Sequence, residues 1–451
     1  RDRLRSRGLG DVYKRQEEIR AVKTYSDLPV TTNMMMYFSP LDYDKWAKEL
    51  DVISWDSYPS WHTKEDEVPI AVWAAFMHNQ MRGFQKKPFL MMESTPSLVN
   101  WDEENNVKRP GMNYLSSMQA IALGSNSVLY FQWRKSRGSS EKFHGAVVGH
   151  DASEKNRVFQ EVAWIGKDLE KLSSQILSTC NRAKVAIIMD WENWWALSDA
   201  QAISRKFDYT EELLKYYRVF WEKGIEVDII SMDRELSDYQ LVVAPTLYLH
   251  KKEYIHKVEA YVEAGGIYVT TYWSGVVNET DLCFIGERPH ERLLGLSVDE
   301  IDVGNEYFPN TFSYKAGVLR EVVTLQTAKP LGTYLQDYNV NTPAITENAY
   351  GKGKAYYVAV QPDLEFLKEF LGDVIEEANV EANLTETLPY GVTVSKRSGK
   401  EQKDDVYFLQ NFNRHPVKMV LNECYTNLIT DEILTGSIKL QTYQCIVMKK
   451  K

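Results

Sequence analysis

Between residues 17 and 177, short runs of β-favouring apolar residues alternate four times with stretches of helical periodicity. The runs are residues 29–34 (PVTTNM), 51–55 (DVISW), 88–92 (PFLMM) and 127–132 (SVLYFQ); the helical patterns cover residues 43–50, 67–83, 112–123 and 156–172. A parallel sheet is covered by helices on both faces, so its strands read as continuous apolar runs rather than as alternation. The pattern therefore predicts four βα units. Polar and aromatic residues gather just after the runs: Asp56 and Tyr58, then Glu93, then Trp133 and Arg134. That is the carboxyl end of the strands, where (β/α)8 barrels place their chemistry. Four units make half of such a barrel and leave two sheet edges open. The segment predicts either a small open sheet or the second half of a barrel whose first four units lie elsewhere.

Near Arg182 the pattern restarts. Residues 185–189, 226–230, 241–244, 266–270 and 355–360 read as strands, with helices over 209–222 and 252–264 and after Pro362. The second helix stops at Gly265-Gly266, a normal C-terminal signal. This predicts a doubly wound α/β domain. Its first strand leads into Asp190–Trp195 (DWENWW) without a glycine fingerprint, and Gly351-Lys352-Gly353-Lys354 lacks the P-loop frame and reads as a hairpin turn. After Leu388 only short alternating runs remain, which predicts a small, sandwich-like all-β cap. Residues 1–16 carry six Arg or Lys with no apolar periodicity, and read as a non-native leader such as a cloning or sequencing scar.

Charge and cysteine content narrow the function classes. A formal net charge of −10 argues against nucleic-acid or anionic-membrane partners, which need a basic face. No apolar run approaches the roughly 20 residues that span a bilayer, and no signal peptide opens the chain, so a cytoplasmic location is expected. The four cysteines, Cys180, Cys283, Cys424 and Cys445, are dispersed and form no C-x-x-C pair; they read as free thiols, with no metal site in this chain.

Three groups of residues carry candidate chemistry. The first is Met91–Trp101 (MMESTPSLVNW), in which Glu93 follows a buried run inside a polar turn. An unpaired carboxylate there is costly unless something uses its charge; the plain structural reading pairs it with Arg134 or Lys135. Glu141 and His144, in SSEKFH, share a face if the stretch turns helically, and otherwise belong to a solvated loop. Asp56 and Tyr58 lie in SWDSYP, where Asp, Ser and Pro also suit a plain turn. Trp55, Trp61, Trp101 and Trp133 could supply an apolar wall for a sugar face or could simply be core.

Taken together, TTNMMMYFSPLDYDKWAKELDVISWDSYP, MMESTPSLVNW and GSNSVLYFQWRKSRGSSEKFHGAVVGHD resemble glycoside hydrolase family 42. The resemblance is specific over residues 28–172 and looser beyond. It implies the C-terminal half of a (β/α)8 TIM barrel over residues 17–178. A flavodoxin-like or amidotransferase-like α/β trimerisation domain would follow over 179–388, then an all-β domain over 389–451. It implies a retaining β-galactosidase with Glu93 as nucleophile, Trp101 against the galactosyl unit, Glu141 and His144 bonding sugar hydroxyls, Phe131 lining the pocket, and Tyr58 beside it. It implies a homotrimer acting on a β-galactoside, with no cofactor held by this chain. The family's acid/base Glu follows barrel strand four, and neither it nor the zinc-ligating cysteines has a counterpart before Leu28. The expectation is half a site, inactive alone. Two rivals remain. One is a non-catalytic binding or assembly module. The other is an amidotransferase, which needs a cysteine on a strand-to-helix elbow, whereas Cys180 precedes its domain's first strand and Cys283 follows no clear strand.

Overall fold

The computed structural model describes residues 9–35, 38–201, 206–303, 317 and 319–451. Its first element crosses the end of the expected leader. Helix α1 (Leu9–Lys23) runs across the boundary placed after Gln16, and residues 1–8 of that leader lie outside the described residues. Val12, Arg15 and Ile19, one and two turns apart, face Trp46. Two apolar residues with an arginine between them are too sparse a stripe to read as periodicity, yet Val12 is buried and the Arg15 guanidinium lies 5.4 Å from the Trp46 ring.

Four parallel strands follow, β1 (Asn33–Met34), β2 (Ser54–Asp56), β3 (Phe89–Glu93) and β4 (Ser125–Val128), hydrogen-bonded in chain order. Helices α2 (Tyr43–Ala47), α3 (Val68–Gly83) and α4 (Met112–Ala122) separate them, and α5 (Arg157–Ile176) closes the segment. α3 starts with proline in its first turn and buries nearly its whole length, which a helix covered by a second domain can do. β4 begins two residues earlier than the apolar run suggested and stops at Val128. Beyond it Leu129 and Phe131 still donate to the carbonyls of Met91 and Ser94 at 3.2 and 2.9 Å, but a register shift between Phe89 and Met91 breaks the regular ladder.

The next domain contains β5 (Val185–Ile188), α6 (Trp191–Asp199), α7 (Tyr209–Glu222), β6 (Val227–Ile230), β7 (Leu241–Ala244), β8 (Leu249–His250), α8 (Lys252–Glu263) and β9 (Ile267–Thr271). It continues through β10 (Val277–Asn278), α9 (Glu291–Leu294), β11 (Leu296–Val303), β12 (Leu319–Leu325), β13 (Lys329–Thr333), β14 (Pro343–Tyr350), β15 (Gly353–Val358) and α10 (Leu364–Glu377). Its seven-stranded sheet runs β13-β14-β15-β9-β7-β5-β6, parallel from β15 to β6. The antiparallel additions β11–β14 were not anticipated. Their alternation is interrupted by bulges at Val298/Glu300 and around Gly332. The hairpin expected at Gly351 joins β14 to β15, with Gly351 in the left-handed region.

The last domain is one antiparallel sheet, not a sandwich: β16 (Val392–Arg397), β17 (Val406–Asn411), β18 (Val417–Asn427), β19 (Ile433–Leu440) and β20 (Cys445–Lys450), in the order β16-β17-β20-β18-β19. One of its faces joins the core of the other domains through Phe408, Phe412 and Val447, so no second sheet is needed to cover it.

The junction of the first two domains is fixed by a buried arginine. Arg82, in the last turn of α3, donates from Nε and Nη2 to Asp228 Oδ1 on β6 at 3.0 and 2.9 Å, and to the carbonyls of Val227 and Leu123. Glu226 lies 3.6 Å away. Removing one partner of a buried ion pair strands the other, which costs about 3–5 kcal/mol. Arg82→Met is therefore expected to lower the urea midpoint of unfolding sharply, and far more than Lys86→Met in the exposed Lys86–Asp238 pair. Equal midpoints for the two variants would contradict this.

Candidate active site

β2 and β3 end at the same level, with Asp56 paired to Glu93 across a register shift that follows the Trp55–Met91 pair. Paired residues of adjacent strands share a face, so two carboxyl groups are delivered to the same end of the sheet. The backbone continues the ladder for one more bond, Ser57 N–H to Glu93 O at 2.8 Å, which brings Tyr58 alongside. Its hydroxyl donates to Glu93 Oε2 at 2.8 Å. Asp56 Oδ2 accepts from Asn33 Nδ2 on β1 at 2.7 Å, while its Oδ1 is buried with no protein partner among the described residues. Glu93 forms no ion pair with Arg134 or Lys135 among the described residues, so the pairing offered by the plain structural reading is not made.

The far wall comes from the loop after β4. A 3-10 turn over Ser140–Phe143 carries Glu141 on the surface and ends at His144, whose N–H donates to Glu141 O at 2.9 Å. Gly145 makes this possible: its N–H donates to Leu98 O at 2.8 Å, and a Cβ there would meet Thr95 Oγ1 at 2.6 Å and Leu98 O at 2.8 Å. Only glycine lets this loop lie against the turn that follows Glu93. His144 is fully buried, its Nδ1 facing the Gly145 carbonyl at 2.9 Å and its Nε2 without a protein partner among the described residues. Around it stand Phe131, Trp101 and Tyr58, with ring centroids 5.0, 5.3 and 6.1 Å away. Tyr58 and Trp101 meet edge-on at 5.0 Å, and Trp101 remains 54% exposed, a broad apolar face open to solvent.

A cleft of about 580 Å³ is lined by Met35, Phe38, Asp56, Tyr58, Glu93, Trp101, Phe131 and Glu141. The fold thus gathers Glu93, Tyr58, Trp101, Phe131 and Glu141 on one cleft, with His144 packed against three of their rings. Asp56 is not the turn residue that its Asp-Ser-Tyr-Pro context also allowed; it closes β2. Met35, Phe38 and Asn33 escaped the sequence reading. Asn33 lies on β1, and Met35 and Phe38 come just after it in an apolar stretch whose composition alone does not separate lining from core. The geometry suits an apolar face and hydroxyl groups held over a carboxylate, as a sugar presents. Among the described residues no group of three or more His, Cys, Asp or Glu is placed to hold a metal ion, and the four cysteines are free. Among the described residues neither Cys180 nor Cys283 stands on a strand-to-helix elbow: Cys180 makes an isolated backbone bridge to Ser398, and the exposed Cys283 one to Val277. No helix among the described residues is long and apolar enough to cross a membrane.

Comparison with known proteins agrees with this geometry. Residues 2–172 match a family model described as β-galactosidase, residues 183–381 one described as β-galactosidase trimerisation domain, and residues 391–450 one described as β-galactosidase C-terminal domain. β-Galactosidase GalA of Bacillus licheniformis is 42% identical, over 96% of this chain and 67% of that protein. GanA of Bacillus subtilis is 40% identical, over 93% of this chain and 64% of its own length. The chain belongs to glycoside hydrolase family 42. The solved structure of the family 42 enzyme Gan42B superimposes with a TM-score of 0.94 at 41% identity, covering 98% of this chain and 66% of that one. The cold-adapted β-galactosidase of Rahnella sp. R3 gives 0.93 at 41%, covering 100% and 68%. The chain thus has a family 42 glycosidase architecture and spans about two thirds of the length of these relatives.

Burial pushes the Asp56 carboxyl up to about 6; the neighbouring Glu93 charge adds to this, and the Asn33 hydrogen bond opposes it. Because the folded state holds this proton more tightly than the unfolded chain does, its contribution to stability is full below the ordinary value of 3.8 and is lost as pH rises through about 6. Asp42, raised to a similar value by burial, is present in both proteins when wild type is compared with Asp56→Asn, and so cancels. Stability of Asp56→Asn relative to wild type is expected to improve from about pH 4 to pH 7, measured by chemical denaturation. A difference independent of pH would contradict this.

Proposed function

We propose that this chain carries the nucleophile half of the active site of a retaining β-galactosidase, with Glu93 as the nucleophile. The observation that carries the reading is the carboxylate at the end of β3, held by the Tyr58 hydroxyl at 2.8 Å beside the exposed Trp101 face. The relatives compared are themselves named β-galactosidases, and Gan42B has also been solved as a catalytic mutant in which a glutamate is replaced by alanine.

In this reading the apolar face of galactose rests on Trp101, with Phe131 closing the cleft. Glu141 accepts hydrogen bonds from sugar hydroxyls, and His144, buried behind the cleft, holds the rings of Trp101, Phe131 and Tyr58 in place. Glu93 attacks the anomeric carbon, the glycosidic C–O bond breaks, and a galactosyl ester forms on Glu93. A carboxyl group about 5–5.5 Å away must then protonate the departing oxygen and afterwards take a proton from the water that cleaves the ester. Tyr58 fixes which carboxylate oxygen is free to attack, because its hydrogen bond occupies the other. The acid/base carboxyl, in this proposal, comes from residues outside this sequence. The chain alone is then a glycosyl acceptor from activated substrates and not a lactase. The domain matched as a trimerisation domain, residues 183–381, supports assembly of three copies.

Three measurements test the proposal. Treatment with a 2-deoxy-2-fluoro-galactoside bearing a dinitrophenolate leaving group, followed by peptide mass spectrometry, is expected to place the sugar on Glu93; a label on another residue overturns the assignment. Lactose, whose leaving group needs a proton, is expected to remain intact, and rapid turnover overturns the outside origin of the acid. For assembly, light scattering of the longer protein is expected to give the mass of three copies; the mass of one overturns that part.

A further inference from the structure

The C-terminal sheet reaches the carboxylate site through a continuous set of side chains. Arg414, in the loop between β17 and β18, donates from Nε and Nη2 to Glu67 Oε1 at 3.0 and 2.8 Å. The Glu67 side chain is fully buried and binds His62 twice: Oε1 to Nδ1 at 2.7 Å and Oε2 to the backbone N–H at 3.0 Å. His62 Nε2 accepts from the Arg109 backbone N–H at 3.0 Å. The adjoining Lys108 is buried, and its Nζ donates to Thr95 O at 2.6 Å and to Asn113 Oδ1 at 3.0 Å, while its N–H donates to Ser97 O at 3.0 Å. Thr95 and Ser97 belong to the turn that starts at Glu93.

The same sheet clamps the loop that carries Tyr58. Phe412 stacks on Trp61 with centroids 6.1 Å apart and planes 12° from parallel. The Tyr443 ring lies 5.8 Å from His62. Both segments that hold the Tyr58–Glu93 hydrogen bond are therefore tied to loops of the C-terminal domain as well as to each other. His62 sits in the left-handed region at φ 68°, a conformation of non-glycine residues that persists only where surrounding contacts over-determine it; here Glu67, Arg109 and Tyr443 supply those contacts.

We infer that the C-terminal domain is a positioning element for the nucleophile, with Arg414 acting through Glu67, His62 and Lys108 on the turn after Glu93. This rests on the reading of Glu93 as nucleophile. Surface domains joined only by packing need no buried carboxylate shared between an arginine of one and a histidine of the other. A half-satisfied polar network costs more than an apolar contact, so this one is intact or expensive at every link. Misplacing a reacting group by a fraction of an ångström lowers rate without weakening binding.

The test uses the whole chain and the variants Arg414→Met, Arg414→Lys, Lys108→Met and, as control, Lys418→Met on the exposed side of β18. The activated 2-deoxy-2-fluoro-galactoside gives a maximal labelling rate and a half-saturating concentration for each; hydrogen exchange over residues 94–98 reports the amides of Ser94, Thr95, Ser97 and Leu98. Arg414→Met is expected to lower the maximal rate about tenfold, the scale seen when second-layer partners of a reactive group are removed. Half-saturation should stay constant, exchange at 94–98 should quicken, and Arg414→Lys should recover part of both. Lys418→Met should change neither. Wild-type labelling and exchange in Arg414→Met overturn the inference, as does a loss confined to half-saturation. If Arg414→Met fails to fold, Arg414→Lys and Lys108→Met decide it by the same two readouts. If wild type is not labelled on Glu93, the nucleophile reading fails, and exchange alone decides the coupling: faster at 94–98 in Arg414→Met and Lys108→Met supports it, unchanged overturns it.

Discussion

The hydrogen bond from Tyr58 to Glu93 depends on two short parallel strands ending at the same level. A carboxylate at the rim of a buried sheet loses much of its hydration, and that loss must be offset by donors close at hand. β2 and β3 offset it by letting the backbone run on past the Asp56–Glu93 pair until the Tyr58 hydroxyl reaches Oε2. A slip of one residue would turn Glu93 to the other face of the sheet. The cleft, its aromatic wall and the gathering of Glu141 and His144 all presuppose that register.

Other contacts hold the strands at that level from outside. Arg82 fastens α3 to β6. From the last domain, the fully buried Arg397 donates to the carbonyls of Ile121, Ser125 and Thr179 and to Asn126 Oδ1, joining the end of α4 to the start of β4. Two guanidiniums, each with several fixed donors, thus saturate backbone carbonyls at the ends of helices and strands that no regular ladder could reach. The α/β domain and the β domain act on the half-barrel as a frame, which suits a sheet of four short strands with little core of its own.

Much of this was legible in the residues. Continuous apolar runs gave the four parallel strands, because burial on both faces removes the alternation that a half-exposed strand shows. The polar turn after PFLMM exposed Glu93 because nothing in that composition calls for a buried carboxylate. The positions of Trp101, Phe131, Glu141 and His144 came from resemblance; their spacing alone left them as loop or core. What stayed hidden was long-range. Asp56 looks like a turn residue until β1 supplies Asn33. Glu67 and Arg414 are distant in sequence, and each alone reads as a surface charge. Helix α1 has only Val12 and Ile19 to show, and β11–β14 carry bulges that break the period of two. The β cap closes on the core of its neighbours, which no local pattern in its own strands reveals.

A crystal structure of the chain with galactose in the cleft is the most direct measurement of the central claim. The expected complex has the apolar sugar face against Trp101, a hydroxyl on Glu141, and the anomeric carbon about 3–3.5 Å from the Glu93 oxygen that Tyr58 leaves free. Galactose bound in the cleft with its anomeric carbon turned away from Glu93, or bound only elsewhere on the chain, would contradict it.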